Sequence, residues 1–131
     1  MKRIFLTIIA LLFCSGIAIA QDHFTYPARC LNVVDGDTID LKINLGMGLS
    51  LTDRVRFLGF DAPETFRPKT EKERARGEKA KKFLKNLIEN KDITIHVPAE
   101  NYRGSFGRIL VVPFYQDQNI IKLMKQKGFE K

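Results

Sequence analysis

The segment Arg56–Thr65, which reads RFLGFDAPET, combines residue types that could do chemistry. Two carboxylates, Asp61 and Glu64, stand on either side of Ala-Pro, and Arg56 opens the strand-like run before them. The proline restricts the backbone between the two acids, so their side chains have a limited range of relative positions. A strand end with both signs of charge adds little to a hydrophobic core. The combination of two carboxylates and an arginine instead predicts a site that holds a cation beside an anionic substrate.

Two other segments carry the same types of side chain. Asp37 lies in an Asp-Gly-Asp-Thr turn, and Arg108 follows a glycine at the start of an apolar run. Carboxylates without a nearby histidine or cysteine suit Ca²⁺ or Mg²⁺ better than zinc. The planar guanidinium of arginine binds phosphate oxygens two at a time. If the fold brings these segments to one rim, they predict a phosphoryl-transfer site with metal, carboxylate-activated water and two arginines.

Each segment also has a simpler interpretation. Asp35–Thr38 is first of all a tight turn, and Asp61 or Thr65 could cap a following segment. Arg108 could be an exposed charge beside a glycine that is needed for close packing. The presence of all three segments in one chain favours the site.

The pattern of apolar residues predicts five strands and two helices. Alternation and β-prone residues place the strands at Arg29–Val34, Ile39–Ile43, Leu51–Leu58, Ile93–Val97 and Gly107–Tyr115. We expect an irregular lead-in at Gln21–Pro27 and a loop at Asn44–Ser50. His96, on the polar face of the fourth strand, is interpreted as structural or exposed.

One helix is predicted between the third and fourth strands. Its apolar stripe includes Ala80, Leu84 and Ile88, and it should end near Asn90. A short C-terminal helix would be capped by Asp117 and ended by Gly128. Because strands and helices do not alternate regularly, a parallel α/β fold is disfavoured. The order predicts a mainly β (α+β) fold: a five-stranded Greek-key barrel of the oligonucleotide-binding (OB) type.

The N-terminal residues have the pattern of an export signal. Lys2 and Arg3 precede the apolar run Ile4–Phe13, and Ala18-Ile19-Ala20 matches a signal-peptidase site. We expect residues 1–20 to be a signal peptide cleaved after about Ala20, with a single domain at 21–131. The product would be secreted or periplasmic and would have no membrane attachment. A lipoprotein modified at Cys14 is the less favoured alternative.

The net charge indicates the class of partner, and the cysteine content indicates whether a disulfide is expected. The net charge of +7 favours polyanionic partners such as nucleic acid, anionic lipid or acidic polysaccharide, without choosing among them. After signal removal Cys30 has no intrachain partner, so no disulfide is expected and the thiol should be buried and inert.

Three blocks of this sequence resemble the signature of a known family. Val34–Thr38, Arg56–Thr65 and Phe106–Arg108 are similar to the motifs of the thermonuclease (staphylococcal nuclease-like, micrococcal nuclease) family. The resemblance implies an OB barrel and a calcium-dependent endonuclease that hydrolyses DNA and RNA and leaves 3′-phosphate ends. It also implies roles at matching positions: Asp37, Asp61 and the backbone carbonyl of Ala62 as Ca²⁺ ligands, Glu64 as general base, and Arg56 and Arg108 as phosphate ligands.

The chain departs from the family pattern at three places. Ala62 stands where threonine is frequent, and Phe106 replaces a tyrosine. Members commonly continue past the position of Lys131 into a segment with tyrosines near the base, so weaker base stacking, lower stability or a different substrate preference is expected.

The leading hypothesis is therefore an exported, monomeric, calcium-dependent nuclease that prefers single-stranded or locally open DNA and RNA. The alternative is a catalytically weak or silent OB-fold domain that binds nucleic acid. A basic domain that docks on anionic surface polymers ranks last, because it leaves the carboxylates and arginines without a role.

Overall fold

The computed structural model describes residues 22–131, and the predicted signal peptide lies outside this range. The elements in chain order are β1 (His23–Asp35), β2 (Thr38–Gly46), β3 (Leu49–Phe57), α1 (Glu71–Ile88), β4 (Asp92–Pro98), a one-turn 3₁₀ helix (Ser105–Gly107), β5 (Ile109–Tyr115), β6 (Gln118–Asn119) and α2 (Ile120–Gln126). Within residues 22–131, no helix is long and apolar enough to cross a membrane.

Strands β1 to β5 pair with one another in the order β1-β2-β3-β5-β4-β1, which is a ring, and β5 also pairs with β6. All of these pairings are antiparallel except β3 with β5, where Val55 to Phe57 lie beside Ile109 to Val111 in parallel register. The prediction of a mainly β, OB-like fold is confirmed. The two-residue strand β6, which the sequence did not indicate, extends the sheet beside β5.

Strand β1 belongs to two parts of the barrel. Its first half, from His23 to Arg29, pairs with β4, and its second half pairs with β2. The register with β2 shifts between Cys30 and Asn32 and again before Asp35. Such bulges bend a strand and increase its twist, which lets one strand serve both parts. The predicted irregular lead-in was wrong from His23 onward, because pairing with a distant strand leaves no local pattern.

The β2–β3 hairpin is longer than predicted. Most of the expected loop at Asn44–Ser50 is strand, and only Met47 and Gly48 form the tip. Both tip residues have positive φ, 52° and 76°, as tight hairpin turns require.

Helix α1 begins with a capping arrangement. The Thr70 hydroxyl accepts the Glu73 N–H at 3.1 Å, and the Glu73 carboxylate accepts the Lys69 N–H at 2.8 Å. The buried face of α1 lies against the barrel and consists of Gly77, Ala80, Leu84 and Ile88. The predicted apolar stripe is confirmed, and the helix ends two residues before Asn90.

The C-terminal helix differs from the prediction in its cap. Asn119, not Asp117, caps α2, because the Asn119 side chain accepts the Lys122 N–H at 3.0 Å. Asp117 lies instead in the turn between β5 and β6 with φ of 62°. Gly128, at φ of 76°, follows the helix end as predicted.

The single cysteine within residues 22–131 is part of the core. Cys30 is fully buried, and burial raises the pKa of its thiol to about 12. The predicted burial is confirmed, and a thiol with so high a pKa stays protonated at neutral pH.

Candidate active site

Asp37 connects the β1–β2 turn to the segment that follows β3. Its side chain is buried, with one carboxylate oxygen accepting the Ala62 N–H at 2.9 Å and the other accepting the Thr38 hydroxyl at 2.8 Å. The Asp37 carbonyl also accepts the N–H of Phe57, at 2.9 Å. The turn and the Asp-Ala-Pro-Glu segment are therefore held together at one end of the barrel.

Arg56 lies between two carboxylates. It pairs with Thr38 across the β2–β3 ladder, which directs its side chain to the polar side of β3. Its Nη2 lies 3.3 Å from Asp37 Oδ2 and also donates to Asp61 Oδ1. Because both oxygens contact the same nitrogen, the two carboxylates face one position at the end of the Arg56 side chain. The Asp37 side chain is 8% exposed and that of Asp61 is 70% exposed, so this position is open to solvent on one side.

Glu64 and Arg108 complete the cluster. Together with Arg56 they line two adjoining depressions, one of ≈ 510 Å³ that includes Asp61 and one of ≈ 240 Å³ that includes Asp37. We call these two depressions the site groove. The structure thus brings all five charged residues that the sequence singled out to one groove. Glu64 is exposed, and the buried Nε of Arg108 has no hydrogen-bond partner within residues 22–131.

Asp35 also borders the site groove, although sequence reasoning treated it only as a turn residue. Its Oδ1 accepts the Thr65 hydroxyl and the Gly36 N–H, both at 3.1 Å. Burial raises the pKa of Asp35, and the nearby carboxylates of Asp37 and Glu64 raise it further. The Asp-x-Asp spacing of Asp35 and Asp37 could have indicated that Asp35 belongs to the site, since alternate residues near a strand end can reach the same site.

Two glycines allow the site segments to pack closely on α1. A Cβ on Gly77 would lie 2.7 Å from the carbonyl oxygen of Pro63 and 2.9 Å from Thr65 Cγ2. A Cβ on Gly36 would lie 2.7 Å from that of Ala62. The helix therefore supports the backbone of the segment that carries Glu64.

A third support comes from the residues after α2. Arg76 of α1 donates to the carbonyl of Glu130 at 3.0 Å, and the Lys131 N–H donates to the carbonyl of Asp61 at 2.8 Å. The Lys131 ammonium lies 3.0 Å from Glu73 Oε1. Sequence reasoning did not find this contact, because the partners are far apart in the chain and lack a shared motif.

The donor atoms fit a hard cation better than zinc. Asp37, Asp61 and the backbone of Ala62 offer oxygen ligands only, which is the chemistry that Ca²⁺ prefers. Within residues 22–131, no three histidine, cysteine or acidic side chains form a ready metal cluster. A cation held here would need backbone oxygens, water or substrate oxygens as its other ligands.

His96 lies outside the site groove. Its ring stacks on that of His23 at a centroid distance of 4.2 Å and packs on Phe114 at 4.4 Å. Burial and the neighbouring His23 lower the pKa of His96. This arrangement agrees with the prediction of a structural histidine, although the partner His23 was not foreseen.

Comparison with known proteins adds a family and three relatives. Residues 54–131 match the family model described as Staphylococcal nuclease homologue. The chain is 30% identical over 126 residues to an uncharacterized endonuclease of Haemophilus influenzae, covering 95% of this chain and 62% of that protein. It is 41% identical over 83 residues to Endonuclease YhcR of Bacillus subtilis, covering 60% of this chain and 6% of that protein. An uncharacterized protein of Bacillus anthracis is 30% identical over 105 residues, covering 80% of this chain and 46% of that protein. The chain thus spans less than two thirds of each relative.

Proposed function

This chain belongs to the staphylococcal nuclease homologue family, and from that premise we propose that it is a calcium-dependent nuclease that hydrolyses DNA and RNA. The observation that supports this most strongly is the convergence of Asp37, Arg56, Asp61, Glu64 and Arg108 on the site groove. Two carboxylates repel a phosphate unless a cation balances them. A domain that only bound nucleic acid would gain nothing from the exposed carboxylates of Asp61 and Glu64.

In the proposed mechanism, Asp37, Asp61 and the carbonyl of Ala62 would hold Ca²⁺. The ion would balance the carboxylates and draw charge from a phosphate oxygen. Arg56 and Arg108 bind the other phosphate oxygens through their paired N–H groups. The Nε of Arg108 is buried and has no hydrogen-bond partner within residues 22–131, so the Arg108 side chain has to move before this nitrogen can contact phosphate.

Glu64 is proposed as the general base. Its exposed carboxylate takes a proton from a water molecule whose oxygen forms a bond to phosphorus. The bond from phosphorus to the 5′ oxygen breaks, and that oxygen takes a proton from solvent. The products are a 3′-phosphate end and a 5′-hydroxyl end. The two guanidinium groups stabilise the additional negative charge on the five-coordinate phosphorus.

Arg56 has to change partners during this cycle. In the structure the Nη2 of Arg56 contacts both Asp37 and Asp61, so it occupies the position where a cation would bind these two carboxylates. We propose that Arg56 balances the two acids in the free protein and moves to the substrate when a cation takes over that role.

The cellular setting belongs to the proposal as well. The charged start, apolar run and Ala-x-Ala pattern of residues 1–20 support export, to the periplasm or out of the cell. The basic net charge supports a polyanionic substrate.

The test is cleavage of a plasmid and of single-stranded DNA and RNA in Ca²⁺, in Mg²⁺ and in chelator. We expect cleavage with Ca²⁺, none in chelator and 3′-phosphate ends. Glu64→Gln should lower kcat by about 10²- to 10⁴-fold with little change in nucleotide affinity, because it removes the base but keeps the shape.

Glu78→Gln, at an exposed position on α1, is the matched control and should keep full activity. Near-normal turnover of Glu64→Gln would refute the general-base assignment. Tight binding of nucleic acid by the wild-type protein without cleavage in any metal would favour the silent binding domain.

A further inference from the structure

Two phenylalanines are exposed beside the proposed catalytic residues. Phe66 is 74% exposed and Phe106 is 95% exposed. Each has a guanidinium near its ring: the Arg67 Cζ lies 5.2 Å from the Phe66 centroid, and the Arg108 Cζ lies 5.9 Å from that of Phe106. A flat apolar ring with an adjacent positive charge is the combination that binds an unpaired base and its phosphate.

The Phe66–Arg67 pair lies on a loop that is fixed at both ends. On one side the Thr65 hydroxyl donates to Asp35 at 3.1 Å, and on the other the Lys69 N–H donates to Glu73 at 2.8 Å. Arg67 has a φ of 57°, which is uncommon for a residue with a side chain. The anchored loop holds Phe66 away from the core, so the ring can receive a ligand with little loss of conformational entropy.

The position of this pair relates it to Glu64. Phe66 is two residues from Glu64, so their Cα atoms are at most about 7 Å apart. Phe106 reaches the same region from the loop before β5, since it lines the site groove together with Glu64. The proposed general base therefore has an aromatic–arginine pair next to it in sequence and another in its groove.

We propose that Phe66 and Arg67 form a second nucleotide subsite, in which the ring stacks on one base and the guanidinium binds the adjoining phosphate. This inference rests on the proposed function and makes its substrate more specific. A base can stack on an exposed side chain only when it is unstacked from its own neighbours. The substrate is therefore a single-stranded or locally open polynucleotide of several nucleotides, held beyond the scissile phosphate.

The experiment measures binding with the Glu64→Gln protein in Ca²⁺, so that cleavage during the measurement is slow. The ligands are fluorescently labelled octathymidylate and, by competition, thymidine 5′-monophosphate. Phe66→Ala should weaken octathymidylate binding by about 5- to 140-fold, the range expected for loss of one stacked base. Thymidine monophosphate should bind nearly as before, because the other arginines still hold its phosphate. Phe66→Trp should restore binding of the octamer.

Phe24→Ala is the matched control, because Phe24 is also exposed, at 48%, but lies near the start of β1, whose other end carries the site. It should leave both affinities unchanged. Unaltered octamer affinity of Phe66→Ala, or an equal loss for both ligands, would overturn the subsite. If the wild-type protein neither binds nor cleaves any nucleic acid, the proposed function itself fails. If the wild-type protein cleaves nucleic acid but substitutions of Phe66 have no effect, only the subsite fails.

Discussion

Replacing Gly77 by alanine tests whether α1 holds in place the segment that carries the proposed general base. At an ordinary helix position this change would stabilise the protein by about 1 kcal/mol, since alanine has the higher helix propensity. Here the new Cβ would lie 2.7 Å from the Pro63 carbonyl oxygen and 3.1 Å from that of Glu64. Both contacts are to backbone atoms, which cannot rotate away as the end of a long side chain can.

The magnitude follows from these distances. An ordinary contact begins at 3.4 Å, so the Pro63–Thr65 backbone has to move by roughly 0.7 Å away from the helix. Overpacking of this kind costs about 1–3 kcal/mol. Offset by the gain in propensity, the net loss of unfolding free energy should be about 1 kcal/mol. Because a shift near 1 Å in catalytic geometry costs about 10²-fold in rate, kcat should fall by tens of fold.

Urea denaturation measures the stability and plasmid cleavage in Ca²⁺ measures the rate. Lys79→Ala, at an exposed position on the same helix, is the control and should change stability by less than about 0.5 kcal/mol. A Gly77→Ala protein that is more stable by about 1 kcal/mol and fully active would refute the reasoning. It would mean that the segment carrying Glu64 does not depend on close contact with α1.

Two further predictions concern Arg108 and His96. Arg108→Lys should lower kcat/KM by about 10- to 150-fold despite keeping the charge, because the paired N–H groups are lost. The control, Arg74→Lys on the exposed side of α1, should leave kcat/KM unchanged. Equal effects of the two substitutions would count against a phosphate contact at Arg108. In the folded protein the pKa of His96 lies below its ordinary value of 6.5. As the pH falls through 6.5, His96 therefore takes up a proton more readily in the unfolded state than in the folded state, and the free energy of unfolding decreases. Urea titrations between pH 7.5 and 5 should show this loss in the wild type and a smaller one in His96→Phe, which keeps an aromatic ring on His23; parallel curves would contradict it.

Much of the site was predictable from short segments. Asp37, Arg56, Asp61, Glu64 and Arg108 were identified by residue type and by position at strand ends, because turns and strand alternation are local properties. The same local patterns predicted the five barrel strands, the stripe on α1 and the stop at Gly128. Errors occurred both where a contact joins distant parts of the chain and in local hairpins, since β2 and β3 extend into the predicted loop at Asn44–Ser50. The first half of β1 exists because β4 lies beside it, and Asn119 displaced Asp117 as a cap because β6 extends the chain by two residues.

The sequence by itself therefore determined which side chains are available for chemistry and that they sit at the ends of strands. Only the tertiary structure decided how they meet. Closure of the ring by β3 and β5 places Arg56 beside Leu110, two residues past Arg108, and the Ala62 N–H bonds Asp37 across 25 positions. The glycine contacts on α1 and the Lys131–Asp61 hydrogen bond likewise join segments that are distant in sequence. Such contacts depend on the packing of the whole domain, and no short stretch of residues encodes them.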